Sequence, residues 1–187
     1  MRIISTVMVT TLMISVCNFA QADDLHQGEH VPAVGVNDKG ELVWQHNEFS
    51  YKNWNSAQLS GKVRVIQHIA GRSSAKEKNA ALIEAIKAAQ FPHDRYQTTT
   101  IVNTDDAIPG TGMFVRSSIQ TNKQHYPWSQ FVVDNKGNVQ KAWQLERASS
   151  AIVVLDKNGR VRFIKDGALS QEEVQQVMSL IASLLKQ

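Results

Sequence analysis

The chain has 187 residues, a formal net charge of +3 and charged side chains at 20% of its positions. Its lysines and arginines are scattered singly or in pairs, without the stripe or patch that a nucleic-acid binder carries, so nucleic acid is excluded as a partner. Cys17 is its only cysteine, so no internal disulfide can staple it.

In chain order, residues 1–22 read as a secretory signal peptide. Arg2 supplies the charge, an apolar run covers 3–16, and Ala20-Gln21-Ala22 forms a small-residue exit. The run is shorter than the roughly 20 residues needed to span a hydrocarbon core of about 30 Å, so cleavage after Ala22 is expected rather than anchoring. Val16 is too large for the residue that precedes a lipid-bearing cysteine, so Cys17 is expected to leave with the signal. The remainder, 23–187, suits a single domain, not embedded in a membrane and with no redox cysteine.

Three similar turn signals follow: Asn37-Asp38-Lys39-Gly40, Asp134-Asn135-Lys136-Gly137 and Asp156-Lys157-Asn158-Gly159. Each lies between short apolar runs, and glycine supplies the positive φ such turns use. The second is expected to join strands at 131–133 and 139–143, the third to join strands at 152–155 and 161–164. Residues 63–69 read as a buried strand and 98–102, rich in β-branched residues, as another. Between them a helix is expected over 75–89, with Ser74 and Glu77 as its capping box and Pro92 marking its end. A second helix is expected over 113–124. The last starts at a capping box of Ser170 and Glu173 and repeats Val174, Val177, Met178, Ile181, Leu184 and Leu185 on one face. This order implies an α/β fold with a central mixed sheet covered by helices on both faces.

The local words resemble the thioredoxin superfamily, in its exported thiol-reductase and peroxiredoxin-like branch. Leu59-Ser60-Gly61-Lys62-Val63 resembles the lead-in to its active-site strand. Asp156-Lys157-Asn158-Gly159 and the run from Lys165 to Ser170 resemble its final hairpin and the start of its last helix. The run Phe131-Val132-Val133-Asp134 resembles the element that branch inserts. More narrowly, Trp54-Asn55-Ser56-Ala57-Gln58-Leu59 and Gln67-His68-Ile69-Ala70-Gly71-Arg72 resemble the YtfJ family, small periplasmic proteins with no established activity. The resemblance implies a thioredoxin-like three-layer fold, an N-terminal β-hairpin and a periplasmic location. It implies no cofactor.

The departures from the superfamily matter as much. Its Cys-x-x-Cys sits where a helix N-terminus lowers the thiol pKa. Here that loop reads Gly71-Arg72-Ser73-Ser74-Ala75-Lys76. The superfamily's cis-proline is replaced by Ser149-Ser150-Ala151, so an ordinary trans peptide is expected.

Two readings stay open. The first is a non-redox binding or adaptor module, holding an unidentified periplasmic protein or small ligand at Gly71, Arg72, Ser73 and Ser150. The second is a hydrolase with Ser73 as nucleophile, His68 as base and Asp105 or Asp106 to orient it. Plainer roles compete: Ser74 as N-cap, His68 at the core edge, and Arg72 as a solvated side chain rather than part of an anion site at the helix N-terminus. His26 and His30 have a metal-like interval, but Gln27-Gly28-Glu29 does not read as helix, so no metal is expected. Trp44, Tyr51, Trp54, Trp128 and Trp143 are expected mainly as core or rim packing, and the polar, aromatic-bearing stretch 49–59 is the best candidate for a surface patch.

Overall fold

The β-branched and aliphatic runs assemble seven strands into one sheet in a computed structural model that describes residues 25–187. The expected signal segment, with Cys17, and the first two residues of the expected mature chain lie outside the described residues. In chain order the elements are β1 (Gly35–Gln45), β2 (Glu48–Asn55), β3 (Val63–Ala70), α1 (Ser73–Glu77), α2 (Ala80–Ala89), β4 (Tyr96–Asn103), α3 (Gly112–His125), β5 (Gln130–Asp134), α4 (Asn138–Ala142), β6 (Ser150–Leu155), β7 (Val161–Asp166) and α5 (Gln171–Leu184).

The sheet order is β2-β1-β5-β4-β3-β6-β7. β3, β4 and β5 run parallel, while β1, β6 and β7 pair antiparallel. Every residue of β3 is buried, as expected of a central strand covered on both faces. Its side chains alternate between two cores. Val63 and Val65 meet Leu82 and Ile86 of α2 and Val177 and Ile181 of α5. Farther along the same face, Ile69, Val102 and Phe131 pack with Ile119 of α3. On the opposite face Ile66, Ile101, Val132 and Val153 pack with Val139 and Trp143 at α4. Arg64 is buried on that second face too, where it donates to the Leu59 carbonyl at 3.0 Å and to Thr99 Oγ1 at 2.8 Å.

Four local expectations are corrected. The Asn37–Gly40 signal makes a bulge inside β1, where pairing with β2 shifts between Val36 and Glu41. Gly40 has φ +79°, and a Cβ there would lie 2.2 Å from the Lys52 carbonyl oxygen. The N-terminal hairpin turns instead at His46 and Asn47, with φ of 51° and 65°, the double positive φ of a tight hairpin turn.

The second hairpin does not form. β5 already has β1 and β4 as neighbours, so no edge is free for residues 139–143. They form α4, started by Asp134 Oδ2 accepting from the Val139 N–H at 2.8 Å.

The helix expected over 75–89 is two helices. α1 starts at Ser73 with Arg72 as an N-cap lacking a side-chain bond, so Ser74 is not its cap. Asn79, at φ −120° and ψ 22°, breaks the run because its amide is committed elsewhere: to Ser150 Oγ, the Gly167 carbonyl and the Leu169 N–H.

The stretch 49–59 is not an open patch. Trp54 and Leu59 are buried in one core, and Phe49 and Tyr51 pack against the cluster beneath α3. No described helix is long and apolar enough to cross a membrane.

Candidate functional site

The carboxyl ends of parallel strands are where open α/β sheets place their sites. β3 ends at Ala70 and runs through Gly71 and Arg72 into α1, and β4 ends at Asn103 and runs through 104–111 into α3. The two loops are packed together. The Gly71 N–H donates to the Asn103 carbonyl at 2.8 Å. A Cβ on Gly71 would lie 2.9 Å from Ala107 Cβ, so glycine is what admits the close approach.

Arg72, expected at a binding surface, is engaged within the protein. Its Nε donates to the Asp106 carbonyl at 3.0 Å and its Nη2 meets Asp106 Oδ1 at 2.5 Å. Asp106 is only 5% exposed, and its other carboxylate oxygen accepts from the Ala148 N–H. Three loops are thereby pinned to one carboxylate.

The residues of the hydrolase reading make no hydrogen bonds to one another among the described residues, and Asp106, the other candidate to orient the base, is held by Arg72 and the Ala148 N–H. Among the described residues no hydrogen bond joins His68 to Ser73 or to Asp105. His68 lies within β3, paired with Ile101 and Ala151, and its Nε2 has no partner among the described residues. Burial pushes its imidazole down to about 4, partly opposed by the Asp106 carboxylate. Ser73 is exposed at the start of α1 and its hydroxyl bonds no described group. Asp105 lies out near Lys141, at 3.9 Å. A base must reach its nucleophile at about 2.6–3.2 Å to take the proton, and no described hydrogen bond connects this pair.

Ser150, expected to face a ligand, has no exposed surface and accepts from Asn79 Nδ2 at 3.0 Å. Ser149 Oγ accepts from Lys78 at 3.1 Å. The Ser149–Ala151 stretch thus holds the junction of α1 and α2 from inside, and every described peptide bond is trans.

Sequence reasoning missed the most conspicuous surface at this end. Ile108, Met113 and Phe114 are 51%, 79% and 75% exposed on the loop and helix start that follow β4. Large apolar side chains flanking Pro109, Gly110 and Gly112 were the available signal. Among the described residues no group of three or more His, Cys, Asp or Glu is placed to hold a metal ion.

A family model described as "Bacterial protein of unknown function (YtfJ_HI0045)" matches residues 25–184. The uncharacterized protein YtfJ of Escherichia coli (strain K12) is 68% identical over 167 residues, covering 89% of this chain and 91% of that protein. An uncharacterized protein of Haemophilus influenzae is 48% identical over 165 residues, covering 88% and 90%. Among solved structures, one from Chlorobium tepidum described as a thiol:disulfide interchange protein DsbE superposes with TM-score 0.60 at 13% identity, covering 87% of this chain and 99% of that one. At that identity the likeness speaks for the fold alone, which is thioredoxin-like.

Proposed function

The chain belongs to the YtfJ_HI0045 family of bacterial proteins, and from that premise we propose that it is an exported, periplasmic binding module that uses a thioredoxin-like scaffold without thiol chemistry. Export is supported by the charge, apolar run and small-residue exit of residues 1–22. Beyond Cys17 no cysteine remains, so a processed chain has no thiol for disulfide exchange or for a thiol-dependent peroxidase cycle.

The observation that carries the binding reading is the exposed trio Ile108, Met113 and Phe114. Apolar side chains gathered on a surface mark interaction sites, and burying one such side chain contributes about 1.5–3 kcal/mol. Gly71 lies against Ala107, the residue before Ile108, Arg72 is tied to Asp106 in the same loop, and Ser150 holds Asn79 at the junction of α1 and α2. The occupant proposed is a partner protein that inserts apolar side chains.

A photo-reactive phenylalanine analogue at position 114, in the periplasm, tests this. The expected result is one discrete adduct that disappears with Ile108→Glu and does not form when the analogue is placed at exposed Gln176. No adduct at 114, or one indifferent to Ile108→Glu, sinks the reading. A fluorophosphonate probe is expected to leave the purified protein unlabelled.

A further inference from the structure

α2 and α3 cover the same face of the sheet but do not meet above β4. α2 turns Leu82 and Ile86 toward Val63 and Val65, and α3 turns Ile119 toward Val102 and Phe131. Between them opens a cleft of about 670 Å³ whose floor includes Gln67, Thr98 and Thr100. This volume falls within the roughly 300–1,000 Å³ of small-molecule sites.

The floor has the chemistry of a site rather than of a packing fault. A gap between two helices over a sheet is ordinarily filled by large aliphatic side chains, because tight packing maximises dispersion contacts. Here the three central floor positions are polar. Gln67 is 5% exposed, faces the cleft, and its amide makes no hydrogen bond to any described residue. The Thr100 hydroxyl on the neighbouring strand is equally unpartnered, while Thr98 Oγ1 and Tyr96 Oη are paired at 3.0 Å. Neither the Gln67 amide nor the Thr100 hydroxyl is sealed in the core: both stay open to the cleft, where a ligand's polar atom can replace water as their hydrogen-bond partner.

Charge and shape narrow the occupant. No charged side chain lies on the floor. At the mouth, Glu84 and Lys87 neutralise each other at 2.7 Å, and Lys76 is exposed at the rim without an ion pair among the described residues. An ion pushed to the floor would lose its hydration with no counter-charge on the floor to meet it. The walls are apolar: Ile69, Ile83, Val102, Ile119 and Phe131. The mouth is aromatic, with Trp128 stacked on His93 at 4.3 Å and edge-on to Tyr126 at 5.8 Å. The Gln67 amide and the Thr100 hydroxyl each offer both a donor and an acceptor.

We infer that the α2–α3 cleft binds a small uncharged amphipathic molecule, an aromatic body whose inserted end carries a carbonyl or amide that meets Gln67 and Thr100. This site lies on the helix-covered face of the sheet and stands independently of the partner surface at Phe114.

The test uses the mature chain and the neutral naphthalene ketone prodan, read by its emission and by NMR of the Gln67 side-chain amide. Saturable one-site binding is expected, with a blue shift of emission and movement of the Gln67 amide signals. Gln67→Leu is expected to weaken binding about three- to ten-fold, the effect of one lost hydrogen bond. Ile83→Trp, and separately Ser118→Trp, fill the cleft from opposite walls and are expected to abolish binding with the thermal midpoint retained. The anionic 2-naphthoate is expected to bind at least about ten-fold more weakly than prodan. Absence of saturable binding, or binding that survives both tryptophan variants in folded protein, overturns the site. Equal affinity for naphthoate overturns the uncharged class, and an unchanged affinity in Gln67→Leu overturns the assigned contact.

Discussion

The Arg72 guanidinium and the Asp106 carboxylate meet at 2.5 Å across the gap between the loops that leave β3 and β4. The carboxylate is almost fully shielded, whereas a quarter of the arginine side chain reaches solvent. The loop that carries reactive thiols in the thioredoxin superfamily is here fastened to its neighbour by charge.

Removing the arginine alone leaves a buried carboxylate without its counter-charge. Arg72→Met is therefore expected to destabilise the fold by about 2–4 kcal/mol in urea unfolding. Asp106→Asn added to it should recover at least about 1 kcal/mol, because the stranded charge is gone. Strictly additive single and double variants would show that the pair is not coupled.

Gly71 admits Ala107 at a distance no side chain tolerates. Gly71→Ala is expected to cost about 1–3 kcal/mol by overpacking. Ala107→Gly in the same chain should return much of that loss, since it removes the atom the new methyl strikes. Failure of the second change to rescue the first places the strain elsewhere, against the Asn103 carbonyl.

His68 makes stability depend on pH. Its folded-state pKa is lowered from 6.5 to about 4, chiefly by burial. Between those values the unfolded chain binds a proton that the folded one refuses, so stability is full above about pH 6.5 and falls as pH drops toward 4. The expected slope in that window approaches 1.4 kcal/mol per pH unit from this residue. His68→Leu should remove that component when unfolding is followed at pH 7 and pH 5. An unchanged pH slope in the variant would move the origin of the effect to another group.

Asn79 links three partners at the break between α1 and α2. Asn79→Ala strands the Gly167 carbonyl and the Leu169 N–H, and a loss of about 2–3 kcal/mol is expected. Asn79→Asp keeps the acceptor for Leu169 but not the two donated bonds, so its loss should be intermediate. A loss below about 0.5 kcal/mol in the alanine variant would mean that water replaces the amide at little cost.

Two capping boxes looked alike in sequence. At the last helix the pattern holds: Ser170 Oγ accepts from the Glu173 N–H at 3.2 Å and Glu173 Oε2 from the Ser170 N–H at 2.7 Å. At Ser74 it fails because the helix begins two residues earlier, with Arg72, at φ −144°, in the N-cap position. Likewise three near-identical Asx-Gly signals became a bulge, a helix start and a hairpin. Only the last, at 156–159, had a free strand edge on which to close. In the candidate site, the sequence located the loop but not its partners. Arg72 and Asp106 are 34 positions apart, and Asn79 and Ser150 are 71 apart.

The amino-acid order alone determined what is carried by composition and by patterns a few residues long: strand and helix character, the closing cap, and a chain with no cysteine beyond residue 17. The three-dimensional arrangement decided which polar groups found each other and which did not. Asp106 received the arginine and Ser150 the asparagine, while Gln67 received nothing and faces a cleft. The reason is physical: hydrogen-bond and ion-pair energies depend on distances set by packing across the sheet, and no local spacing encodes them.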